Sequence, residues 1–306
     1  MNSPPGADFA LPWTVEVDLH LHTTASDGLL TPAELVERVA GTPLQVIAVA
    51  DHDSTEAIDD TMQAVRRHPG LTLIPAVEIG TEDDEAELHL LGYFIDHRNA
   101  PFEAALRHLR HSRTVAARRT VERLAELGMP VSWERVQELA PGVVGRPHIA
   151  RAMVEEGYVQ DVHEAFDRYL GDDGVARVPR EKLSPLDGLR LVHRAGGVGV
   201  VAHPRTVDRL KEHVAVLAAE GLVGIEVYAE RYTAEQRERY AALADRYGLV
   251  HSGGSDYHGF GTEGEVLPGQ MGPPRDTPAR LLERARALHG DGVGWIPADP
   301  LEAGTL

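Results

Sequence analysis

The 306-residue chain reads as an α/β protein built on a mostly parallel sheet or barrel, with a helical segment let into it. Two observations carry that reading. Short apolar runs at residues 15–19, 46–50, 71–77, 198–202, 223–227 and 249–252 have the length of buried strands, and they alternate with amphipathic stretches at 32–40, 55–67, 185–195, 207–220, 233–247 and 278–288. Between about residues 101 and 180 the alternation stops and the pattern is helical throughout, which marks an insert or cap. The resulting division is a barrel from 14–100 and 181–292 with a cap insert at 101–180.

Two helix starts carry explicit signals. Thr31 precedes Pro32, with Glu34 three positions after the cap, and Thr233 is followed by Gln236; both are capping-box patterns. The chain has no internal repeat and no low-complexity tract.

Composition narrows the chemistry. There are no cysteines, so disulfides, thiolate metal sites and cysteine nucleophiles are excluded. The net charge of −18 repels long polyanions, which argues against tight binding along duplex nucleic acid but not against a small phosphorylated ligand at a locally positive site. No run of about 18 apolar residues suggests a membrane span. Residues 1–11 lack the basic and apolar regions of a secretory signal. The expectation is a soluble, cytoplasmic protein.

Sixteen histidines are present, and their placement matters more than their number. The first strand runs into Asp18-Leu19-His20-Leu21-His22. Residues two apart on a strand share a face, so both imidazoles can address one ion. The theme recurs at later strand ends: Asp51-His52-Asp53, Glu78, His203-Pro204, and Ser255-Asp256-Tyr257-His258. In parallel barrels the carboxyl ends of the strands build the active site, and imidazole with carboxylate suits Zn²⁺, Mn²⁺ or Fe²⁺. His89 opens the run 89–95 after an acidic stretch at 82–87. A hairpin there would return the chain antiparallel and bring His89 beside Glu78.

These segments, together with Ser26-Asp27-Gly28, resemble the motifs of the PHP (polymerase and histidinol phosphatase) family in order and spacing, over nearly the whole chain. The resemblance implies a distorted (β/α)7 TIM-like barrel with a trinuclear metal site. It implies a first cation on His20, His22, Glu78 and Asp256, a second on Glu78, His89 and His203, and a third on Asp27, His52 and His258. Some members have histidine where Asp27 stands; an aspartate favours a harder ion there. Among ions, Mn²⁺ ranks first, Zn²⁺ or Fe²⁺ next and Mg²⁺ last.

The helical insert and Gly145-Arg146-Pro147-His148 resemble the branch that hydrolyses nucleoside 5′-monophosphates and 3′,5′-bisphosphates or trims short RNA from its 5′ end. Arg146 and His148 would then meet the substrate phosphate, with Arg205 a weaker candidate; a plain helix N-terminus is the competing reading. Asp51 and Asp53 are expected either to orient ligating histidines or to cap the helix that follows. Three dications against three carboxylates would leave a pocket near +3, attractive to a phosphate dianion. In-line attack by a metal-activated hydroxide is the expected chemistry.

The insert also carries Arg107, Arg110, Arg113, Arg118, Arg119 and Arg123. They form either a solvated helix face or a guide for an RNA backbone. Four other functions compete with the nucleotide reading: a histidinol-phosphate-type phosphatase, a polymerase-associated exonuclease, a metal-dependent amidohydrolase, and a non-catalytic metal or nucleotide sensor.

Overall fold

The computed structural model describes residues 15–295 except 84–86, 141, 172, 205–208, 230–231 and 262–264. Seven strands among them form one sheet in sequence order: β1 (Val17–Leu21), β2 (Val46–Val49), β3 (Thr72–Glu82), β4 (Glu87–Tyr93), β5 (Val198–Val201), β6 (Gly224–Tyr228) and β7 (Val250–Gly253). Pairing is parallel except where β4 runs antiparallel to both β3 and β5. The ring is drawn together beyond β7, where the His22 N–H donates to Tyr257 O and the Asp256 N–H donates to His20 O. The alternation predicts a mostly parallel sheet or barrel, and the architecture is the distorted seven-stranded α/β barrel that the family resemblance implies.

Alternation along the strands sorts the core. Val17, Leu19, Val46, Ala48, Ile74, Ala76, Val198, Val200 and Val250 fill the barrel interior. Ile47, Val49 and Leu73 face outward against α1 (Pro32–Ala40) and its neighbours. One irregularity decides where the histidines go. Pairing of β1 with β2 slips between Asp18 and Leu21, so one extra residue lies on β1. Leu21 consequently packs outside with Ile47 and Val49, although Leu19 points inside. That bulge turns His20 and His22 toward the interior, where strict alternation would have sent them out.

Helices cover the outside: α1, α2 (Ile58–Val65), α7 (Pro185–Arg194), α8 (Leu210–Ala219), α9 (Ala234–Arg246) and α10 (Thr277–His289). The capping boxes at Thr31 and Thr233 form as expected. Helix α2 starts three residues later than its pattern suggests. Its N-cap is Ala57, without a side-chain cap, because residues 53–57 make a turn first.

Between β4 and β5 lie α3 (Ala100–Glu126), α4 (Trp133–Leu139), α5 (Arg146–Glu155) and α6 (Val162–Ala165), the last running into a π turn at Phe166–Leu170. The 27-residue α3 is long enough to join two cores. Phe102, Leu106 and Leu109 pack on the barrel, whereas Ala117, Val121 and Leu124 enter a separate cluster with Val136, Ile149 and Met153. No helix among the described residues is long and apolar enough to cross a membrane.

Candidate metal centre

All nine ligand-type residues read from the sequence meet at one end of the barrel, with Glu78 at the middle. Its Oε2 lies 3.2 Å from His20 Nε2, 3.3 Å from His22 Nε2 and 3.2 Å from His52 Nδ1. Its Oε1 lies 2.7 Å from His89 Nδ1 and 2.8 Å from His203 Nε2. Strand β3 runs past Glu78 to Glu82 rather than ending at 77, because β4 returns along it and pairs Gly80 with His89. The expected antiparallel return is therefore present, and it delivers His89.

Asp256 Oδ1 lies 3.4 Å from His20 Nε2 and 3.2 Å from His22 Nε2. Asp27 is approached by His258 Nε2 at 3.4 Å and His52 Nε2 at 3.8 Å. Three overlapping groups have the spacing of cation sites: His20, His22 and Glu78; His52, Glu78 and His89; and His22, Asp27, His52 and His258. Asp53, His203 and Asp256 adopt left-handed backbone, at φ of 51°, 22° and 53°. Strained backbone of this kind persists only where surrounding contacts enforce it.

The donor set fits divalent cations, and the orphaned atoms are the reason. His22 Nε2, His52 Nδ1 and Asp27 Oδ1 are buried without a hydrogen bond, although each has an opposite-charge or ligand-type atom nearby. Lone pairs crowded together without hydrogen bonds are what a bound ion resolves. The electrostatics agree. Burial alone would raise the carboxyls of Glu78, Asp27 and Asp256, yet the imidazoles around them outweigh it and hold all three well below the usual range. Burial alone would lower His22 and His89; the carboxylates win and push them up to about 10 and about 9. His52 goes the other way, down to about 3, because burial dominates there.

Asp51 and Asp53 need correction. Among the described residues, neither carboxylate accepts a hydrogen bond from a ligating imidazole or from the N-terminus of α2. Asp51 accepts from the Thr23 N–H at 2.8 Å, the Thr23 hydroxyl at 2.6 Å and the Ser26 hydroxyl at 2.5 Å, and so ties down the loop that carries Asp27. Asp53 accepts from Arg113 Nη2 at 2.7 Å and Nε at 3.2 Å, anchoring α3 to the barrel. Imidazoles are held instead by Glu226 on His20, Ser26 on His22, Glu87 on His89 and the Asp256 carbonyl on His258.

A cavity of about 330 Å³ opens beside the cluster, under α3 and α5. Arg146 lines it, with its guanidinium on the Leu170 carbonyl and over the Phe166 ring. His148 does not line it: the side chain is buried, and its Nδ1 accepts from the Gly145 N–H at 3.0 Å. Its short reach and the close cap bond keep it inside the insert. Arg205 lies outside the described residues. Of the six insert arginines, Arg113 alone lines the cavity; Arg110 binds Glu103 and the Asp53 carbonyl, and Arg123 binds the Val175 carbonyl. They do not form one stripe.

Residues not singled out in the sequence complete the wall. Lys182 Nζ lies 2.8 Å from both Glu82 and Glu87, and Arg177 and Arg180 stand beside it. Arg180 lies across Gly80, where any Cβ would sit 2.6 Å from its Nη2. Glu226 had a visible signal, being a lone acid inside the apolar run 223–227. Arg177, Arg180 and Lys182 had none, since only the returning cap segment gives them their place.

A barrel with histidines and carboxylates massed at its strand ends has the make-up of a metal-dependent enzyme. Comparison narrows the class. The model of the PHP domain matches residues 18–172. A 5′-3′ exoribonuclease of Haemophilus influenzae is 33% identical over 249 residues, which covers 80% of this chain and 90% of that protein. A 3′,5′-nucleoside bisphosphate phosphatase of Chromobacterium violaceum is 30% identical over 282 residues, covering 88% and 99%. A Bifidobacterium adolescentis structure described as a metal-dependent phosphoesterase superposes with a TM-score of 0.79 at 33% identity, covering 88% and 96%. The chain belongs to the PHP family and is one of its metal-dependent phosphoesterases, a hydrolase of phosphoester bonds.

Proposed function

We propose that the chain hydrolyses phosphate esters of nucleotides, either nucleoside 5′-monophosphates or 3′,5′-bisphosphates, and trims short 5′-phosphorylated RNA. In this reading three divalent cations, Mn²⁺ first among them, are held by His20, His22, Glu78 and Asp256; by Glu78, His89 and His203; and by Asp27, His52 and His258. The observation that carries it is the meeting of all nine side chains around Glu78 with three of their ligand atoms left without hydrogen bonds. Bound cations would supply Lewis acidity at a phosphoryl oxygen and a water acidic enough to ionise near neutral pH.

The chain's own groups account for substrate choice. Arg113, Arg146, Arg177, Arg180 and Lys182 line the cavity. Asp53, Glu82 and Glu87 are among the acids paired with them, and five cationic side chains gathered on one wall concentrate positive charge in a chain of net charge −18. Phosphate is drawn to such a wall, whereas a long duplex meets an acidic exterior. Phe166 and Phe260 line the same cavity and offer faces for a base. The names of the relatives, an exoribonuclease and a bisphosphate phosphatase, support the same substrate class.

The test is a side-by-side assay with Mn²⁺ of a nucleoside 5′-monophosphate, a nucleoside 3′,5′-bisphosphate, a short 5′-phosphorylated RNA, histidinol phosphate and an amide. Turnover of nucleotide substrates at least tenfold above the other two is the expected result. Preference for histidinol phosphate or the amide would replace this reading with one of the competing ones.

A further inference from the structure

Glu226 stands on β6, fully buried among apolar neighbours, and no role in ligation or substrate binding accounts for it. Its two oxygens meet two different parts of the metal centre. Oε1 lies 3.1 Å from His20 Nδ1, and Oε2 accepts the backbone N–H of His203 at 2.7 Å. His203 holds left-handed backbone, and this bond secures that turn. The contacts link residues 206 and 23 positions apart, so both are products of the fold.

Hydrogen-bond chemistry fixes what the pair must do. A backbone N–H only donates, so Oε2 accepts. The second oxygen can accept as well, and in the proposed bridge Oε1 takes the proton on His20 Nδ1. The neutral imidazole then carries its lone pair on Nε2, the nitrogen that faces Glu78 at 3.2 Å and Asp256 at 3.4 Å. We propose that Glu226 is a positioning residue: by bridging His20 Nδ1 and the His203 N–H, it sets the tautomer of one ligand and the backbone of another, and so joins the first and second cation sites. The inference rests on the metal reading above.

Glutamine in this place exposes the logic. The amide has one acceptor and one donor group. If its oxygen keeps the His203 N–H, its NH₂ faces His20 Nδ1 and drives the proton to Nε2, which removes a ligand from the first site. If its oxygen turns to His20, its NH₂ meets the His203 N–H and the turn opens, which weakens the second site. Either arrangement costs one class of site and leaves Asp27, His52 and His258 intact.

The experiment uses the full chain, stripped with chelator and titrated with Mn²⁺ by calorimetry, with bound metal counted by mass spectrometry. Wild type against E226Q should differ by about 10–100-fold in the affinity of one class of site, the other class being unchanged. Equal affinity and equal stoichiometry overturn this inference alone. A wild-type chain that takes up no divalent cation overturns both this inference and the metal reading. Should E226Q fail to fold, ¹⁵N-histidine NMR of the zinc-loaded wild type decides: a proton on Nδ1 of His20 supports the bridge, and a proton on Nε2 or a cation on Nδ1 overturns it.

Discussion

His148 uses its Nδ1 lone pair on the Gly145 N–H, which requires a neutral ring. Burial is the main cause that pushes it down to about 4. The unfolded chain, with an ordinary value near ~6.5, takes the proton first as pH falls. Stability from this group is therefore full above about 6.5, declines between about 6.5 and about 4, and is level below. The change over that window is roughly 3 kcal/mol, on the order of 1.4 kcal/mol per unit. In H148N an amide oxygen can still accept from Gly145 without titrating. Urea unfolding in chelator should show the wild-type advantage over H148N shrinking by that amount from pH 7 to 4. A difference that stays flat with pH would remove the assignment. At Asp27 the expectation concerns ion choice. A carboxylate suits Mn²⁺, whereas imidazole suits Zn²⁺. D27H, exposed to an equimolar mixture, should raise the Zn-to-Mn ratio in the bound metal severalfold, with the other sites unmoved.

The loop from Thr23 to Gly28 shows why the Ser-Asp-Gly motif takes its form. Its backbone closes on itself through Thr23 O, which accepts from the N–H groups of Ser26 and Gly28. Asp51 grips it from below. A Cβ on Gly28 would sit 2.6 Å from the His22 carbonyl carbon and 2.7 Å from the Thr23 nitrogen. Both are backbone atoms and cannot rotate away. G28A should destabilise the chain by about 1–3 kcal/mol in urea unfolding and weaken binding at the cation site proposed beside Asp27. Unchanged stability with full metal content would show that the loop yields more easily than its packing implies. Elements of this kind were legible in the sequence because each motif is local. His20-x-His22, Asp51-His52-Asp53 and Asp256-x-His258 bring their chemistry within three residues, and strand ends supply the common direction. The bridging role of Glu226, the salt links of Glu87 to Lys182 and Arg177, and the anchoring of Arg113 on Asp53 were not. Each joins segments tens to hundreds of residues apart, and no spacing encodes that. The same limit sent Asp51 and Asp53 to the wrong partners, since their neighbours in sequence are histidines and their neighbours in space are a loop and a cap helix. Helix α3 is a middle case: the helical character of its stretch was readable, but its length and its passage from barrel core to cap core were not.

Across the whole molecule, the proposed cations would do for the barrel mouth what hydrogen bonds do for its waist. Ligand-type residues come from the ends of β1, β2, β3, β4, β5 and β7, and Glu226 adds β6. Cations bound there would cross-link the other six strands directly and β6 through Glu226, including the junction of β1 with the segment after β7 that closes the ring. Binding to the folded chain alone adds stability by mass action, about 2.7 kcal/mol per site at a hundredfold excess over Kd. For a chain of this size that corresponds to on the order of 4 °C in Tm for each filled site. Glu78 is the common element, with five imidazoles within 3.3 Å of its carboxylate. Calorimetric scans of wild type should therefore rise by 5 °C or more, on that estimate, when Mn²⁺ replaces chelator. E78Q should lose most of the rise, because two of the three proposed sites share that side chain. A wild-type Tm indifferent to Mn²⁺, Zn²⁺ and Fe²⁺ alike would mean that the strand ends hold one another through hydrogen bonds alone and that no cation belongs among them.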